Sequence, residues 1–144
     1  MKIKTILYVE DNPLDIELTL EALKENKIAN PIVVTHDGIE ALEYLRCEGP
    51  FKDRKTKNPS MILLDLKMPR MDGLEFLASV KKNAKFKSIP VIMLTSSREE
   101  KDLIKGYDLG VNAYVVKPID FHSLIDMVKQ LETFWLIINE LPTE

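Results

Sequence analysis

Charged and hydroxyl side chains follow four of the five short apolar runs in this chain. They are Glu10 with Asp11, Asp65, Thr95 with Ser96 and Ser97, and Lys117 with Pro118. Three carboxylates without a histidine or cysteine beside them favour a hard cation with oxygen ligands. Mg²⁺ fits best, because it commonly takes one or two carboxylates and completes its shell with water and phosphate. The pattern therefore indicates a Mg²⁺-dependent phosphate site.

Each of these side chains has a chemical interpretation and a simpler structural one. Asp65 could be a nucleophile that forms an aspartyl phosphate, or it could cap a turn. Lys117 could bind phosphoryl oxygens as a point charge, or it could be a solvated surface lysine. Thr95 could donate a hydrogen bond to phosphate, or it could cap the next helix. Their joint occurrence at the ends of separate runs favours the chemical interpretation.

The apolar runs themselves predict the elements that position this chemistry. They cover residues 6–9, 32–34, 61–64, 91–94 and 114–116, and most are continuously apolar, as is typical of strands covered on both faces. The segments between them are long enough for helices, so the chain is predicted to be α/β, with five β-α units and a parallel sheet. Ligands bind beyond the carboxyl ends of such strands, where the polar residues above lie.

Local signals set several helix boundaries. Asn12 before Pro13 predicts a capped first helix, Asp72-Gly73 predicts a second boundary, and Asp120 can cap a last helix. The first helix carries two apolar stripes on roughly opposite faces. One stripe has Leu14, Leu18 and Ala22, and the other has Ile16, Leu20 and Leu23. The sequence does not decide which of them meets the sheet.

Length and composition suit one compact domain. The chain has 144 residues, which we expect to form a single domain with an extended C-terminal helix or tail from about residue 132. A net charge of -3 argues against a nucleic-acid partner. The single cysteine, Cys47, excludes an internal disulfide. Because no apolar run approaches the roughly 20 residues that span a bilayer, we expect no membrane segment and a cytoplasmic location.

Four motifs resemble the signature of two-component response-regulator receiver domains, in the expected order from about residue 6 to 131. They are VEDNP, LLDLKMPRMDG, VIMLTSS and YVVKP. The resemblance implies a flavodoxin-like (βα)5 fold, a doubly wound parallel five-stranded sheet of order 2-1-3-4-5. It also implies that Asp65 is the phosphoacceptor and that a sensor histidine kinase is the donor. Glu10, Asp11, Asp65 and the backbone carbonyl of Lys67 would hold Mg²⁺.

The same resemblance assigns the switch residues. Thr95 matches the hydroxyl of the family that moves toward the phosphoryl group, and Lys117 matches its phosphate-binding lysine. Tyr114 lies where the family has an aromatic residue that turns inward. The bond before Pro118 is expected to be cis. We expect the signal to pass to a downstream protein through a surface formed by the fourth helix, the fifth strand and the fifth helix.

Two further segments suggest how this chain differs from a minimal receiver. Residues 46–60 form a long, polar and basic connection, for which a solvated loop is the favoured expectation. Residues 134–138, FWLII, are apolar around a whole helical circumference, so we expect a homodimer that buries Phe134, Trp135 and Ile138. With the VEDNP start, these features resemble the small response regulators associated with bacterial phytochromes.

Three other interpretations fit the sequence less well than a phosphorylated receiver. A phosphohydrolase of the haloacid-dehalogenase group typically has a second aspartate two residues after its nucleophile, where this chain has Lys67. A nucleotide-binding module would need glycine or hydroxyl residues in place of Glu10 and Asp11. A receiver that serves only as a scaffold would not need Asp65, Thr95 and Lys117 together. We therefore expect a phosphoacceptor switch that assists its own phosphorylation and hydrolysis, and not a turnover enzyme.

Overall fold

The computed structural model describes most of the chain up to the end of the fifth strand. The described residues are 5–25, 30–54, 58–66, 68–95, 105–106, 108–111, 113–117 and 122. The expectations for Lys67, Pro118, Phe134, Trp135 and Ile138 lie outside these residues and stay predictions.

Five parallel strands form one sheet of order β2-β1-β3-β4-β5, which confirms the predicted fold class and strand order. Several strands extend one residue beyond the apolar run that predicted them, because backbone hydrogen bonds between strands do not depend on apolar side chains. As a result β3 includes Asp65 and β4 includes Thr95. The strands are β1 (Ile6–Val9), β2 (Ile32–Thr35), β3 (Met61–Asp65), β4 (Val91–Thr95) and β5 (Ala113–Val116).

Three helices are described in full, and two of them begin where the sequence predicted. The Asn12 side-chain oxygen accepts from the backbone N–H groups of Leu14 and Asp15, at 2.9 and 3.0 Å. Asp72 and Glu75 form a reciprocal capping box at the start of α3. The helices are α1 (Pro13–Glu25), α2 (Gly38–Arg46) and α3 (Gly73–Lys81). Within the described ranges, no helix is long and apolar enough to cross a membrane.

The sheet carries a buried apolar layer on each face. One layer joins the strands to α2 and α3, and the other joins them to α1. The second layer decides between the two stripes of α1. Leu23 is buried, with Ile16 and Leu20 packed beside it, whereas Leu14 and Leu18 are 62% and 46% exposed. Ile16, Leu20 and Leu23 therefore meet the sheet, and Leu14 and Leu18 face solvent.

The described part of the connection from residue 46 to 60 is mostly exposed, as expected for a solvated loop, but two of its side chains pack against α2. Its first residue, Arg46, belongs to α2, and a short 3-10 turn covers Gly49–Phe51. The Phe51 ring meets the Tyr44 ring edge-on, with 5.2 Å between the ring centres. The Arg54 guanidinium lies over the Tyr44 ring, 4.4 Å from the ring centre. It also donates hydrogen bonds to the α2 carbonyls of Tyr44 and Leu45. Sequence reasoning missed this packing because it counted only the charges of the segment.

Candidate functional site

The carboxyl ends of β1 and β3 bring three carboxylates together. One oxygen from each of Glu10, Asp11 and Asp65 lies within 4.8 Å of the others. Glu10 and Asp65 are buried and Asp11 is exposed, so the cluster opens to solvent on one side. Adjacent parallel strands explain the arrangement, because β1 pairs directly with β3 and their ends meet at one edge.

Lys117 reaches into this cluster from the end of β5. Its ammonium lies 2.7 Å from Asp65 Oδ1 and 2.9 Å from Glu10 Oε1. A third carboxylate, Asp15 of α1, accepts from the same ammonium at 2.9 Å. An ammonium has three N–H donors, and three different carboxylates are within reach of them. The backbone of Lys117 is also tied down, since its N–H donates to the Thr95 carbonyl at 2.8 Å.

Sequence reasoning missed Asp15 and the hydroxyl pair beneath it. The Tyr8 hydroxyl, buried in β1, donates to Thr19 Oγ1 at 3.0 Å and lies 3.4 Å from Glu10 Oε1. Burial raises the pKa of Tyr8, so this hydroxyl keeps its proton and serves as a donor. The available signals were a tyrosine inside an otherwise aliphatic strand and an aspartate in the first turn of a helix that starts beside the site.

The electrostatics of the site follow from one cation shared among several carboxylates. Burial raises the pKa of both Glu10 and Asp65, and the neighbouring carboxylates act in the same direction. Hydrogen bonds from Lys117 oppose this rise without cancelling it. Burial also disfavours the charge of Lys117, but its bonds to Asp65, Glu10 and Asp15 outweigh burial and raise its pKa. The Lys117 ammonium therefore stays charged, but its single positive charge does not neutralise the three carboxylates around it.

The other two predicted switch residues lie on neighbouring strands. Thr95 ends β4 beside Asp65 of β3 and is buried. Tyr114 lies on β5 opposite Met93 and is half-buried against the layer that contains α2 and α3. Its hydroxyl is so close to Gly106 that a Cβ at that position would collide with it. The structure thus places Lys117 in the acidic cluster, Thr95 on the strand beside Asp65, and Tyr114 within β5, three residues before Lys117.

The start of α3 closes tightly against the residue that bears the carboxylate. The Gly73 N–H donates to the Leu66 carbonyl at 2.8 Å, and a Cβ at Gly73 would collide with the backbone oxygen of Asp65. Only glycine permits this approach. The Asp65 backbone is therefore held by the sheet on one side and by α3 on the other.

The donor set fits the Mg²⁺ ion that the sequence implied. Glu10, Asp11 and Asp65 offer carboxylate oxygens only, and hard cations such as Mg²⁺ prefer oxygen ligands. Lys117 leaves an excess of negative charge among them, which a divalent cation would offset. The exposed side of the cluster at Asp11 gives an ion and its waters a way in.

A sequence model of the response regulator receiver domain matches residues 6–129, almost the whole of the described fold. The chain belongs to this family. Receiver domains are the phosphorylated part of two-component response regulators, and histidine kinases phosphorylate them. Family membership favours the receiver over the phosphohydrolase and the nucleotide-binding module that the sequence left open.

The relatives of this receiver domain include response regulators that are named for phytochromes. Response regulator Rcp1 of Synechocystis sp. is 40% identical over 139 residues, covering 96% of this chain and 93% of Rcp1. The Mn²⁺-bound form of Rcp1 superposes with a TM-score of 0.75, covering 97% of each chain at 40% identity. The bacteriophytochrome response regulator RtBRR has a TM-score of 0.87 and 50% identity, covering 98% of this chain and 85% of that chain. The phosphorylated cyanobacterial phytochrome response regulator RcpA has a TM-score of 0.78 and 41% identity, covering 99% and 98%.

Asparagine at position 65 should make the metal-free receiver more stable at pH 7, by about 0.5–2 kcal/mol. Burial raises the folded-state pKa of Asp65 above its ordinary value of 3.8. The stability that such a group contributes is complete below its unfolded pKa and is lost as the pH rises through the folded pKa. The advantage of Asp65→Asn should therefore shrink as the pH falls toward 4, which urea unfolding without Mg²⁺ at several pH values measures.

The matched control for this prediction is Asp53→Asn, which removes an exposed carboxylate and should leave the stability unchanged at every pH. Saturating Mg²⁺ should stabilise the parent more than Asp65→Asn, because the variant lacks one ligand. A metal-free Asp65→Asn protein that is less stable than the parent at pH 7 would contradict the prediction.

Proposed function

We propose that this receiver is a phosphoacceptor switch in which Asp65 takes a phosphoryl group from a sensor histidine kinase. One observation carries the proposal. The Asp65 carboxylate is buried at the sheet edge, 2.7 Å from the Lys117 ammonium and grouped with Glu10 and Asp11. This arrangement combines a nucleophile, a fixed positive charge and a set of metal ligands.

The side chains divide the work of phosphotransfer. A carboxylate oxygen of Asp65 forms a bond to phosphorus as the bond between phosphorus and the imidazole of the donor breaks. Lys117 gives a hydrogen bond to a phosphoryl oxygen, which takes the place of one of its three carboxylate acceptors. The Thr95 hydroxyl then moves and donates a hydrogen bond to another phosphoryl oxygen. The Tyr114 side chain turns inward as this hydroxyl moves.

Glu10, Asp11, Asp65 and the Lys67 carbonyl would hold Mg²⁺, which supplies positive charge that offsets the repulsion between the carboxylate and phosphate. The chain assists its own phosphorylation and the later hydrolysis of the aspartyl phosphate, so it acts as a switch and not as a turnover enzyme. The bond before Pro118 stays a predicted cis bond.

Intact mass tests the proposed chemistry. The full chain is incubated with Mg²⁺ and a small-molecule phosphodonor, and it should gain one phosphoryl group. Asp65→Asn and an EDTA-treated sample should both show no gain. Asp108→Asn is a matched control, because it removes an exposed aspartate on the α/β scaffold away from the acidic cluster. A parent without any gain, or a gain that survives in Asp65→Asn, would overturn the proposal.

The kinase that we propose as donor is a phytochrome, since RtBRR and RcpA, which are 50% and 41% identical to this chain, are named as response regulators of phytochromes. Leu14 and Leu18 of α1 are exposed, and Leu14 directly precedes the Asp15 that bonds to Lys117, so they offer the kinase an apolar contact. The test is a comparison of transfer rates from a phytochrome kinase and from an unrelated kinase at equal concentration. Equal rates would contradict the phytochrome assignment.

We further propose a cytoplasmic homodimer that signals to a downstream protein. The support for the dimer is the apolar run with Phe134, Trp135 and Ile138, and a single cysteine suits a reducing compartment. Sedimentation of the full chain should show a dimer in at least one phosphorylation state. A monomer in both states would contradict the dimer and leave the phosphotransfer proposal intact.

A further inference from the structure

An ion pair ties the loop after Asp65 to the start of α2. Arg70 Nε donates to Asp37 Oδ2 at 2.7 Å, and Arg70 Nη2 donates to Asp37 Oδ1 at 3.1 Å. The pair is bidentate, which is the strongest geometry that an arginine and a carboxylate adopt. Asp37 is buried although Arg70 is exposed. We call this pair the clasp.

The backbone beside the clasp is joined as well. The Gly38 N–H donates to the Met71 carbonyl at 3.0 Å, and the Met71 side chain lies against Gly38, where a Cβ would be 2.6 Å from Cγ. Arg70 itself has φ +62°, in the left-handed region that non-glycine residues seldom adopt. Such a backbone persists where surrounding contacts hold it, and here the clasp is one of those contacts.

Asp37 serves two purposes through its two oxygens. Besides the clasp, it caps α2 by accepting from the Glu40 N–H at 2.8 Å. Burial opposes its charge, but the hydrogen bonds from Arg70 and from the α2 backbone outweigh burial and lower the pKa of Asp37. The clasp therefore joins two charged groups at neutral pH and connects the loop to a helix end that is itself well formed.

The position of the clasp in the chain suggests what it does. The loop between β3 and α3 is held at two places: the Leu66 carbonyl accepts from the Gly73 N–H, and Arg70 and Met71 are bonded to Asp37 and Gly38 at the start of α2. Asp65 precedes this loop directly. We infer that Arg70 and Asp37 are positioning residues that hold the loop in the shape required for Mg²⁺ binding beside Asp65. This inference rests on the proposed function, because it assumes that the acidic cluster binds the ion.

Two simpler roles for the pair make different predictions. A purely structural pair would change stability but not the affinity for Mg²⁺. A pair that acts only through its electric field would give opposite effects, because loss of the Arg70 cation would tighten Mg²⁺ binding and loss of the Asp37 anion would weaken it. A positioning pair gives the same effect from both sides, since either substitution releases the loop.

The test is a Mg²⁺ titration followed by ¹⁵N NMR on the full chain. The variants are Arg70→Gly, which suits the left-handed backbone, Asp37→Asn, which keeps a good helix cap, and the double variant. Lys52→Gln removes an exposed cation outside the clasp and serves as the matched control. Thermal unfolding without metal is measured on the same samples to separate affinity from stability.

Both single variants should raise the Kd for Mg²⁺ by about 3–10-fold, less than the roughly 10–100-fold typical of partners that bond directly to a metal ligand, because Arg70 and Asp37 hold the loop and not a ligand. The Kd of the double variant should not exceed the higher of the two single-variant Kd values, because either change alone already opens the clasp. Lys52→Gln should match the parent. Arg70→Lys, which keeps the charge but loses the bidentate geometry, should fall between the parent and Arg70→Gly.

Opposite shifts in the two single variants, or an unchanged Kd with altered thermal stability, would overturn the inference. If the parent binds Mg²⁺ and the clasp variants bind it with the same Kd, the positioning role of the clasp alone would be overturned. A parent that binds no Mg²⁺ at all would overturn the proposed function together with the clasp, so the two failures are distinguishable.

Discussion

Methionine in place of Lys117 should slow phosphorylation by a small-molecule donor about 10²–10³-fold, the usual loss when one preorganised charged donor is removed. It should also destabilise the metal-free protein at pH 7 by about 1–3 kcal/mol. The ammonium is the charge that Glu10, Asp15 and Asp65 share. Without it, two buried carboxylates lose their nearest cation. The stability loss stays below that of a fully enclosed ion pair because the cluster opens to solvent at Asp11.

Two measurements separate these effects of Lys117→Met. Phosphorylation is followed by intact mass against time, and stability by urea unfolding at pH 7 and pH 5. The stability loss should be smaller at pH 5, because carboxylates without a cation bind protons more readily. Lys24→Met removes an exposed cation at the end of α1 and should match the parent in both assays. A stability loss that is independent of pH would show that packing, and not charge, explains the role of Lys117.

Alanine in place of Gly73 should destabilise the protein by about 1–3 kcal/mol, although alanine is the better helix former by about 1 kcal/mol. The added Cβ would collide with the Asp65 carbonyl oxygen and lie 3.0 Å from the Leu66 Cα. Backbone atoms of a central strand cannot turn aside as a side chain can. The collision should push Asp65 out of position, so phosphorylation should slow more than the loss of stability alone explains.

Gly38→Ala is the comparison for stability, because Gly38 also begins a helix and is also buried. There the added Cβ would meet the side chain of Met71, at 2.6–2.9 Å. The Cγ and Sδ atoms of Met71 can move by side-chain rotation although its Cβ cannot, so we expect a smaller loss than in Gly73→Ala. Thermal unfolding of both variants provides the comparison. Equal losses in the two variants would contradict the role that we assign to the backbone at Asp65.

Much of the fold was predictable because its signals are local. The strands appear in the sequence as continuous apolar runs, and Asn12 and Asp72 cap the helices that follow them. The edge of the sheet that holds Asp65 and Lys117 was predictable for the same reason, since parallel strands deliver their carboxyl ends to one side.

The contacts that the sequence did not reveal are those that depend on how distant elements meet. Asp15 bonds to Lys117 across 102 positions, and that contact requires α1 to turn its first aspartate toward β5. The clasp joins residues 33 positions apart and needs a left-handed backbone at Arg70, for which an arginine gives no signal. Likewise, charge counting hid the stacking of Arg54 on Tyr44.

The complete burial of β1, β3 and β4 has a consequence for how the molecule opens. Amide hydrogens in such strands exchange with solvent only when the whole domain unfolds, whereas thinly packed segments exchange through small local openings. Asp65 and Thr95 are carried by these slowest-exchanging strands. Hydrogen exchange should therefore show the same protection in the three strands before and after phosphorylation, with the differences confined to surrounding loops and helices. The reacting groups are thus carried by rigid central strands, and the conformational change on phosphorylation occurs in the loops and helices around them.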